Sequence, residues 1–373
     1  MDKAKLLSRF IEALPIVLAL GIAAVEVWEP TSPAVPGHPA AISSGRVISD
    51  QQGRSVRLPA VVNSVGTPGV SLASLVVVLS GGRKLTAGTT EVRNNPWLNK
   101  VVPASMQLAT PFTRPAGVNL EALLAVKPDL VALWGSGLPL AQRLEDENIP
   151  VLHLSYGTPE EMKGAIRVLG KALGPEESAR GEALIRYYEN NLKRVSSVLA
   201  DLPEKAKPRV YYASIAPLYT EGRLSMVDAW IKAGGGINVA AEGGLKGDGP
   251  VHLEDVLLWN PDVIVTLDAA QQQQILSDPR WRGIKAVKQG RVLVNPGGVN
   301  AWCTRAAEAA LQVLWAAKVF HSERFRSLDL EQETRRFYRE FYGYALNDHE
   351  VAQVLRSMSP VPTQISPSAR RLP

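Results

Sequence analysis

The sequence has little of the chemistry from which proteins build metal centres and disulfide frameworks. A single cysteine, Cys303, occurs among 373 residues, which excludes a disulfide framework and a multi-cysteine metal site. The 5 histidines are far apart in the sequence, and no two have the spacing of a local zinc motif. We therefore expect no metal site of the protein's own and no bound cofactor.

A long run of one charge is also absent. The 41 Lys and Arg residues and the 36 Asp and Glu residues are mixed along the chain and give a formal net charge of +5. Proteins that bind nucleic acid usually concentrate their basic residues in one run or on one face. We expect no nucleic-acid partner, and we expect the protein to act as a monomer.

The apolar run near the N-terminus is too short to span a bilayer comfortably. Basic residues precede this run, which extends from Ala13 to Ala24, and the pattern is typical of a secretory signal peptide. We interpret residues 1–28 as a signal peptide or, alternatively, an uncleaved membrane anchor, and the Pro- and Ala-rich residues 29–45 as a linker. Either interpretation places the protein in the periplasm.

After the linker, strand and helix patterns alternate in two successive stretches, residues 46–157 and residues 204–359. Such alternation predicts mostly parallel sheets with helices on both faces. The expected fold class is therefore α/β, with two Rossmann-like lobes that have parallel central sheets.

The segment between the two lobes, residues 158–203, reads as connecting helices. Thr158 and Glu161 have the spacing of a capping box, and apolar residues recur at helical spacing between Pro175 and Pro203. This pattern predicts one long helix of about 40 Å that joins the lobes as a stiff strut. The last residues, 360–373, are predicted to be disordered.

One unit of sequence occurs twice. VNLEALLAVKPDLVALW begins at Val118, and VHLEDVLLWNPDVIVTL begins at Val251. Both copies read as a short helix, a break and a buried strand, with Glu121 and Glu254 in the first helical turn. A carboxylate there complements the helix dipole, but two of them at matching positions on two rigidly linked lobes can also dock on paired arginines of a partner.

Enzyme motifs are weak. The glycines at Gly234 follow a helix, so they do not form the strand-to-helix phosphate turn of a dinucleotide site. LWGSGLP lacks the full nucleophile-elbow pattern, and Cys303 has no histidine near it in the sequence. We expect no enzyme, although a two-lobed α/β enzyme acting on a small anionic substrate is an alternative of another class.

The chain from about Arg46 to Leu355 resembles the helical-backbone class of periplasmic substrate-binding proteins of ABC importers. The resemblance lies in the repeated unit, the long helix, AGGGINVA and FYREFYGYAL. It implies a receptor that binds a metal chelate, such as an iron–siderophore, haem or a corrinoid, between its lobes and delivers it to a membrane permease. An oxyanion such as molybdate or tungstate, or a nickel or cobalt chelate, is the alternative ligand. The resemblance also implies that Glu121 and Glu254 dock on permease arginines.

The ligand residues are expected in loops at the carboxyl ends of the strands, because parallel strands bring these ends to one edge of each sheet. Six residues occupy such positions: Trp134, Tyr219, Arg223, Asn300, Trp302 and Arg305. Aromatic rings would stack on a flat ligand, and arginines would pair with an anion.

Each of these residues has a plainer alternative. A tryptophan such as Trp134 is often buried in a core, Arg305 could form a salt bridge at a helix start, and Tyr219 could be a rim residue. If Tyr219 binds a ligand, it would stack on a chelate or coordinate a metal through its phenolate. The sequence leaves these alternatives open.

Overall fold

The computed structural model describes residues 45–113, 117–135 and 138–360, and these residues all belong to one compact unit. The predicted signal peptide or anchor lies outside these ranges, as do all of the linker except Gly45 and all of the tail except Pro360. No helix in the described part of the chain is both long enough and apolar enough to cross a membrane.

The strands are short and lie mostly in two sheets. Their bounds are β1 Arg46–Ser49, β2 Ser55–Leu58, β3 Val65–Gly66, β4 Leu85–Thr89, β5 Ala109–Thr113, β6 Gly117–Val118, β7 Leu130–Trp134, β8 Val151–Leu154, β9 Arg209–Ala213, β10 Tyr219–Glu221, β11 Ile237–Asn238, β12 Asp248–Pro250, β13 Val263–Thr266 and β14 Val292–Val294.

The helices separate these strands along the chain. The α-helices are α1 Val70–Ser80, α2 Thr90–Arg93, α3 Pro96–Val101, α4 Leu120–Val126, α5 Leu138–Asp146, α6 Pro159–Leu173, α7 Pro175–Val198, α8 Met226–Ala233, α9 Val239–Glu242, α10 Leu253–Trp259, α11 Ala269–Ser277, α12 Lys285–Lys288, α13 Ala309–Phe320, α14 Leu330–Phe337 and α15 Asp348–Leu355. Three 3₁₀-helices span Pro103–Gln107, Glu204–Ala206 and Pro279–Trp281, and a π-helical turn spans Tyr338–Tyr342.

The two main sheets share one topology. The first has the order β6-β5-β4-β3-β7-β8 and is parallel except for β6, and the second has the order β11-β9-β13-β14 and is entirely parallel. In the first sheet β3 lies between β4 and β7, and in the second sheet β9 lies between β11 and β13. These two parallel sheets confirm the predicted α/β fold.

The long connecting helix α7 has 24 residues, which at the usual rise per residue corresponds to about 36 Å. It is preceded by α6, whose predicted Thr158–Glu161 capping box is present. Arg180 Nε donates to the Val78 carbonyl of α1 at 2.9 Å, and Asn191 Nδ2 donates to the Ala310 carbonyl of α13 at 2.8 Å. The helix is therefore bonded to both lobes.

Each copy of the repeated unit ends its helix in the same way. Lys127 and Asn260 follow α4 and α10 in the left-handed conformation, with φ of 46° and 42°. The next aspartates accept backbone N–H groups from the start of the lobe: Asp129 from Asn63 and Ser64, and Asp262 from Arg209. The repeat thus helps to hold β7 beside β3 and β13 beside β9.

Two boundaries differ from what the apolar pattern of the sequence indicates. The valine-rich stretch VVNSV, residues 61–65, contributes only its last residue to β3, because Asp129 holds the backbone of Asn63 and Ser64 in a turn. The helix after β14, α13, begins only at Ala309. Residues 295–305, which we call the 295–305 loop, form instead a compact turn in which Trp302 N donates to the Pro296 carbonyl.

Candidate functional site

The two lobes meet where the 295–305 loop, which follows β14, lies against the segments that follow β3 and β4. Asn300 Nδ2 donates to Ser71 Oγ at 3.0 Å, and Asn95 Nδ2 donates to the Val299 carbonyl at 3.0 Å. Ser71 opens α1, and Asn95 caps α3. These contacts place the loop at the carboxyl-terminal edge of the first sheet, where the sequence predicted a cleft.

Arg305 and Trp134 are brought together across this junction. The Arg305 guanidinium carbon lies 5.5 Å from the centre of the Trp134 ring, which is within the range of a cation–π contact. Trp134 is 42% exposed, and its ring centroid lies 3.7 Å from that of the buried Tyr156. Trp134 and Arg305 therefore lie side by side at the junction, with the Trp134 ring half exposed and packed on Tyr156.

Arg305 also forms the salt bridge that was its alternative role. Its Nη1 and Nη2 donate to Glu221 Oε1 and Oε2 at 3.0 and 2.7 Å. Burial alone would lower the pKa of Arg305, but the hydrogen bonds and charge of Glu221 raise it above the ordinary value, so the guanidinium stays charged. Its Nε is buried and has no hydrogen-bond partner in the described structure.

The stacking role predicted for Trp302 does not agree with its position. Its side chain is fully buried in the main hydrophobic core, so it offers no exposed face on which a ligand could stack. The compact turn of the 295–305 loop directs the ring inward, because an exposed indole would leave a large apolar area in water. Its Nε1 is also without a hydrogen-bond partner among the described residues.

Arg223 and Tyr219 have other surroundings than Trp134 and Arg305. Arg223 lines a hollow of about 440 Å³ with Glu204 and Lys207, which precede β9, and its backbone pairs with Leu245 and Gly247. Tyr219 Oη donates to Asp248 Oδ2 at 2.5 Å. This hydrogen bond raises the pKa of Tyr219, which opposes the predicted phenolate ligand.

Three residues at the junction are not among the six predicted ligand residues. Tyr156 follows β8, Glu221 ends β10, and Thr67 follows β3 with a buried hydroxyl that has no hydrogen-bond partner. Their positions after strands were a usable signal for Tyr156 and Thr67. Glu221 carried no such signal, because its pairing with Arg305 spans 84 residues of sequence.

The two glutamates of the repeat are solvent-exposed in the first turns of their helices, as predicted. Leu257 and Leu258 lie three and four residues after Glu254, on its face of α10, and are 40% and 83% exposed. Such a face offers a carboxylate beside apolar surface. Among the described residues, no group of three or more His, Cys, Asp or Glu side chains is placed to hold a metal ion.

Comparison with known proteins identifies the family. The family of periplasmic binding proteins matches residues 73–297. The chain belongs to this family. The molybdate-binding protein MolA of Haemophilus influenzae is 30% identical over 332 residues, which cover 80% of this chain and 91% of that protein. A vitamin B12-binding protein of Salmonella typhi is 31% identical over 170 residues, which cover 45% of this chain and 61% of that protein.

Solved structures of periplasmic binding proteins agree with the fold. A periplasmic solute binding protein from Veillonella parvula superposes with a TM-score of 0.74 at 27% identity, covering 86% of this chain and 99% of that chain. MolA bound to molybdate superposes with a TM-score of 0.73 at 27% identity, covering 81% and 99%. This periplasmic binding protein is therefore a solute-binding protein and not an enzyme, as the sequence predicted.

Proposed function

We propose that the protein is the extracytoplasmic substrate-binding component of an ABC importer and that it binds a small oxyanion of the molybdate class between its lobes. The observation that supports this ligand is a set of buried donors without partners on both sides of the junction. They are Thr67 Oγ1, Trp302 Nε1 and Arg305 Nε. This proposal reverses the order of the two ligands that the sequence favoured.

The chemistry of these donors matches an oxyanion. A buried donor without a partner costs about 1–3 kcal/mol, so three of them in the segments that follow β3 and β14 favour a ligand that supplies acceptors. A tetrahedral oxyanion offers only acceptors. Glu221 offsets the charge of Arg305, which leaves the N–H and O–H groups to recognise the anion by hydrogen bonding.

The relatives support the same ligand. MolA is named for binding molybdate, and its similarity extends over most of both chains. Asn300 lies beside these donors, but its amide is already bonded to Ser71 and to the Ala301 backbone. We therefore assign Asn300 to holding the lobes together and the three donors to the ligand.

A metal chelate with a flat face, such as a corrinoid, haem or an iron–siderophore, is the second candidate. The exposed ring of Trp134 favours it, because a half-exposed tryptophan at the junction is a stacking surface. The vitamin B12-binding relative supports it over 45% of this chain.

One pair of variants separates these ligands. Thr67→Val removes the unpartnered hydroxyl at nearly constant shape, and Trp134→Ala removes the exposed ring. Calorimetric titration with molybdate and with a corrinoid is the measurement. If the ligand is an oxyanion, molybdate binds and Thr67→Val weakens it by about tenfold, whereas Trp134→Ala has a smaller effect. Binding of the corrinoid alone, abolished by Trp134→Ala, would contradict the oxyanion.

The partner in this proposal is the membrane permease of the importer. Glu121 and Glu254 are the proposed docking residues, one on each lobe, and each would pair with a permease arginine. The exposed Leu257 and Leu258 would add apolar contact on the second lobe only. The protein is expected to dock as a monomer from the periplasmic side.

A further inference from the structure

Glu308 is a buried acid directly behind the 295–305 loop. It is fully buried, and no cation of the described residues lies within ion-pair distance of its carboxylate. Buried carboxylates are costly unless hydrogen bonds satisfy them. Its surroundings therefore show what the carboxylate holds in place.

The carboxylate accepts its backbone hydrogen bonds from the loop. Val299 N donates to Oε1 at 3.0 Å, and Asn300 N donates to Oε2 at 2.7 Å. Tyr338 Oη, from the segment after α14, donates to Oε1 at 2.6 Å. The carboxylate thus connects the loop to the C-terminal helices.

The loop packs closely against this carboxylate at Gly298. A Cβ atom at Gly298 would lie 1.7 Å from Tyr338 Oη and 2.6 Å from Glu308 Oε1. A side chain at Gly298 would therefore displace the carboxylate or the tyrosine. The close approach shows that the position of the loop depends on this contact.

The two tethered residues are also the ones that reach the first lobe. Asn300 bonds to Ser71 with its side chain, and Val299 accepts from Asn95 with its carbonyl. A displacement of the backbone at Val299 and Asn300 would break both contacts.

We propose that Glu308 is the positioning residue of the 295–305 loop: by holding the backbone of Val299 and Asn300, it sets the hydrogen bonds that join the lobes beside Arg305. Calling this loop part of a ligand site rests on the proposed function. The tether itself does not, and it is measurable without a ligand.

The charge of Glu308 gives the tether a distinctive signature. Burial raises the pKa of Glu308 to about 7, although hydrogen bonds from Tyr338 and from the Asn300 and Val299 backbone oppose the rise. Tyr342 is the other titratable group that faces Glu308. Its hydroxyl lowers the pKa of Glu308, although it lies outside ordinary hydrogen-bond geometry. Burial raises the pKa values of both tyrosines well above 10, so both stay protonated.

The direction of the pH effect follows from this raised pKa. A loop opening that admits water to the carboxylate returns its pKa toward 4.5, so the closed loop is favoured at low pH. That preference is present in full below about 4.5 and is lost as the pH rises to about 7. Between these values opening becomes easier by up to about tenfold per pH unit, because one proton is linked to it, and above about 7 it no longer changes.

Amide hydrogen exchange of the ligand-free, full-length protein from pH 5.5 to 8 tests the proposal, with α6 as the internal reference. In the wild type, protection of residues 297–303 relative to α6 should fall as the pH rises from 5.5 to about 7 and should level off above that pH. In Glu308→Gln, which loses one backbone acceptor, the loop should exchange about tenfold faster at pH 6 and show no such pH step. Glu177→Gln is the matched control, since Glu177 is a buried acid that pairs with Lys84.

The proposal would be overturned if residues 297–303 exchanged at the same rate in Glu308→Gln and in the wild type. It would also be overturned if α6 lost as much protection as these residues in the variant. If Glu308→Gln fails to fold, Tyr338→Phe tests the same point, because it keeps the carboxylate and both backbone bonds. It should move the pH step upward by removing a donor that stabilises the anion, and an unmoved step would contradict the tether.

Titration with molybdate separates this inference from the proposed function. If molybdate does not bind the wild type but the pH step is present, the tether stands and the oxyanion is wrong. If molybdate binds the wild type and Glu308→Gln with equal affinity, the claim that Glu308 positions a ligand site is overturned, and the exchange measurement alone decides the tether.

Discussion

At the residue scale, the junction between the lobes is defined by pairs that lie far apart in sequence. Arg305 is at once bonded to Glu221 and placed over Trp134. The sequence offered an ion pair and a ligand contact as alternatives, but a guanidinium has enough N–H groups for both. A variant of Arg305 therefore changes stability as well as binding, and the two effects need to be separated.

Removing Arg305 alone should destabilise the fold. Arg305→Ala leaves the carboxylate of Glu221, which is 5% exposed, without its partner, and the loss should be about 3 kcal/mol of unfolding free energy. The double variant Arg305→Met with Glu221→Gln should lose less, because no unpaired charge stays buried. Urea unfolding of both variants checks this, and equal losses would show that the ion pair is open to water.

Trp134 and Trp302 show which side-chain positions can be predicted from the sequence and which cannot. Trp134 and Trp302 both follow strands, and both were expected to face the cleft. Trp134 is exposed because it ends β7 beside Arg305, whereas Trp302 is buried because the turn from Pro296 folds it inward. Strand positions are local and were predictable, but the course of a loop depends on contacts such as Glu308 with Val299.

At the element scale, the repeated unit was the most predictable part of the chain. Its helix, its break and its strand are fixed by local spacing, and both copies have the predicted order. The sequence did not reveal that Lys127 and Asn260 adopt the left-handed conformation, since lysine rarely does so. The two residues differ in what their side chains do: Asn260 Oδ1 accepts from Lys285 N at 2.9 Å.

This difference predicts unequal responses to glycine at the two breaks. Lys127→Gly should raise the unfolding free energy by about 0.5–1 kcal/mol, because glycine adopts the left-handed conformation without a steric cost. Asn260→Gly should give no gain, because the relief is offset by the lost hydrogen bond to Lys285. The measurement is urea unfolding, and the dependence of the unfolding free energy on urea concentration should be unchanged. A gain in unfolding free energy for Asn260→Gly as large as that for Lys127→Gly would show that the hydrogen bond of Asn260 contributes little.

At the scale of the whole molecule, two similar lobes share one long helix and several direct contacts. Alternation along the chain was enough to predict two parallel sheets and α7. The contacts between lobes were beyond prediction, because Asn300 and Ser71 are 229 residues apart and Asn95 and Val299 are 204 apart. The spacing between Glu121 and Glu254 depends on these same contacts.

The proposed docking role predicts that transport and ligand binding separate. Glu121→Ala with Glu254→Ala should leave ligand affinity unchanged and abolish uptake by the importer, because both carboxylates are exposed in the first turns of α4 and α10. Glu331→Ala is the control, since Glu331 is also exposed in the first turn of a helix. Uptake by the double variant at the wild-type rate would reduce both glutamates to helix-end charges.

The long helix and the contacts between lobes together predict little hinge motion. Arg180 and Asn191 bond α7 to α1 and α13, so bending between the lobes would strain a continuous helix whose hydrogen bonds are internal. Opening the junction would also break the Asn300–Ser71 bond and the Arg305–Trp134 contact. Small-angle scattering curves recorded with and without molybdate should therefore nearly superimpose. A marked compaction on binding would show that α7 bends or that the lobes part in the free protein, and glycines introduced into α7 should then enlarge the change.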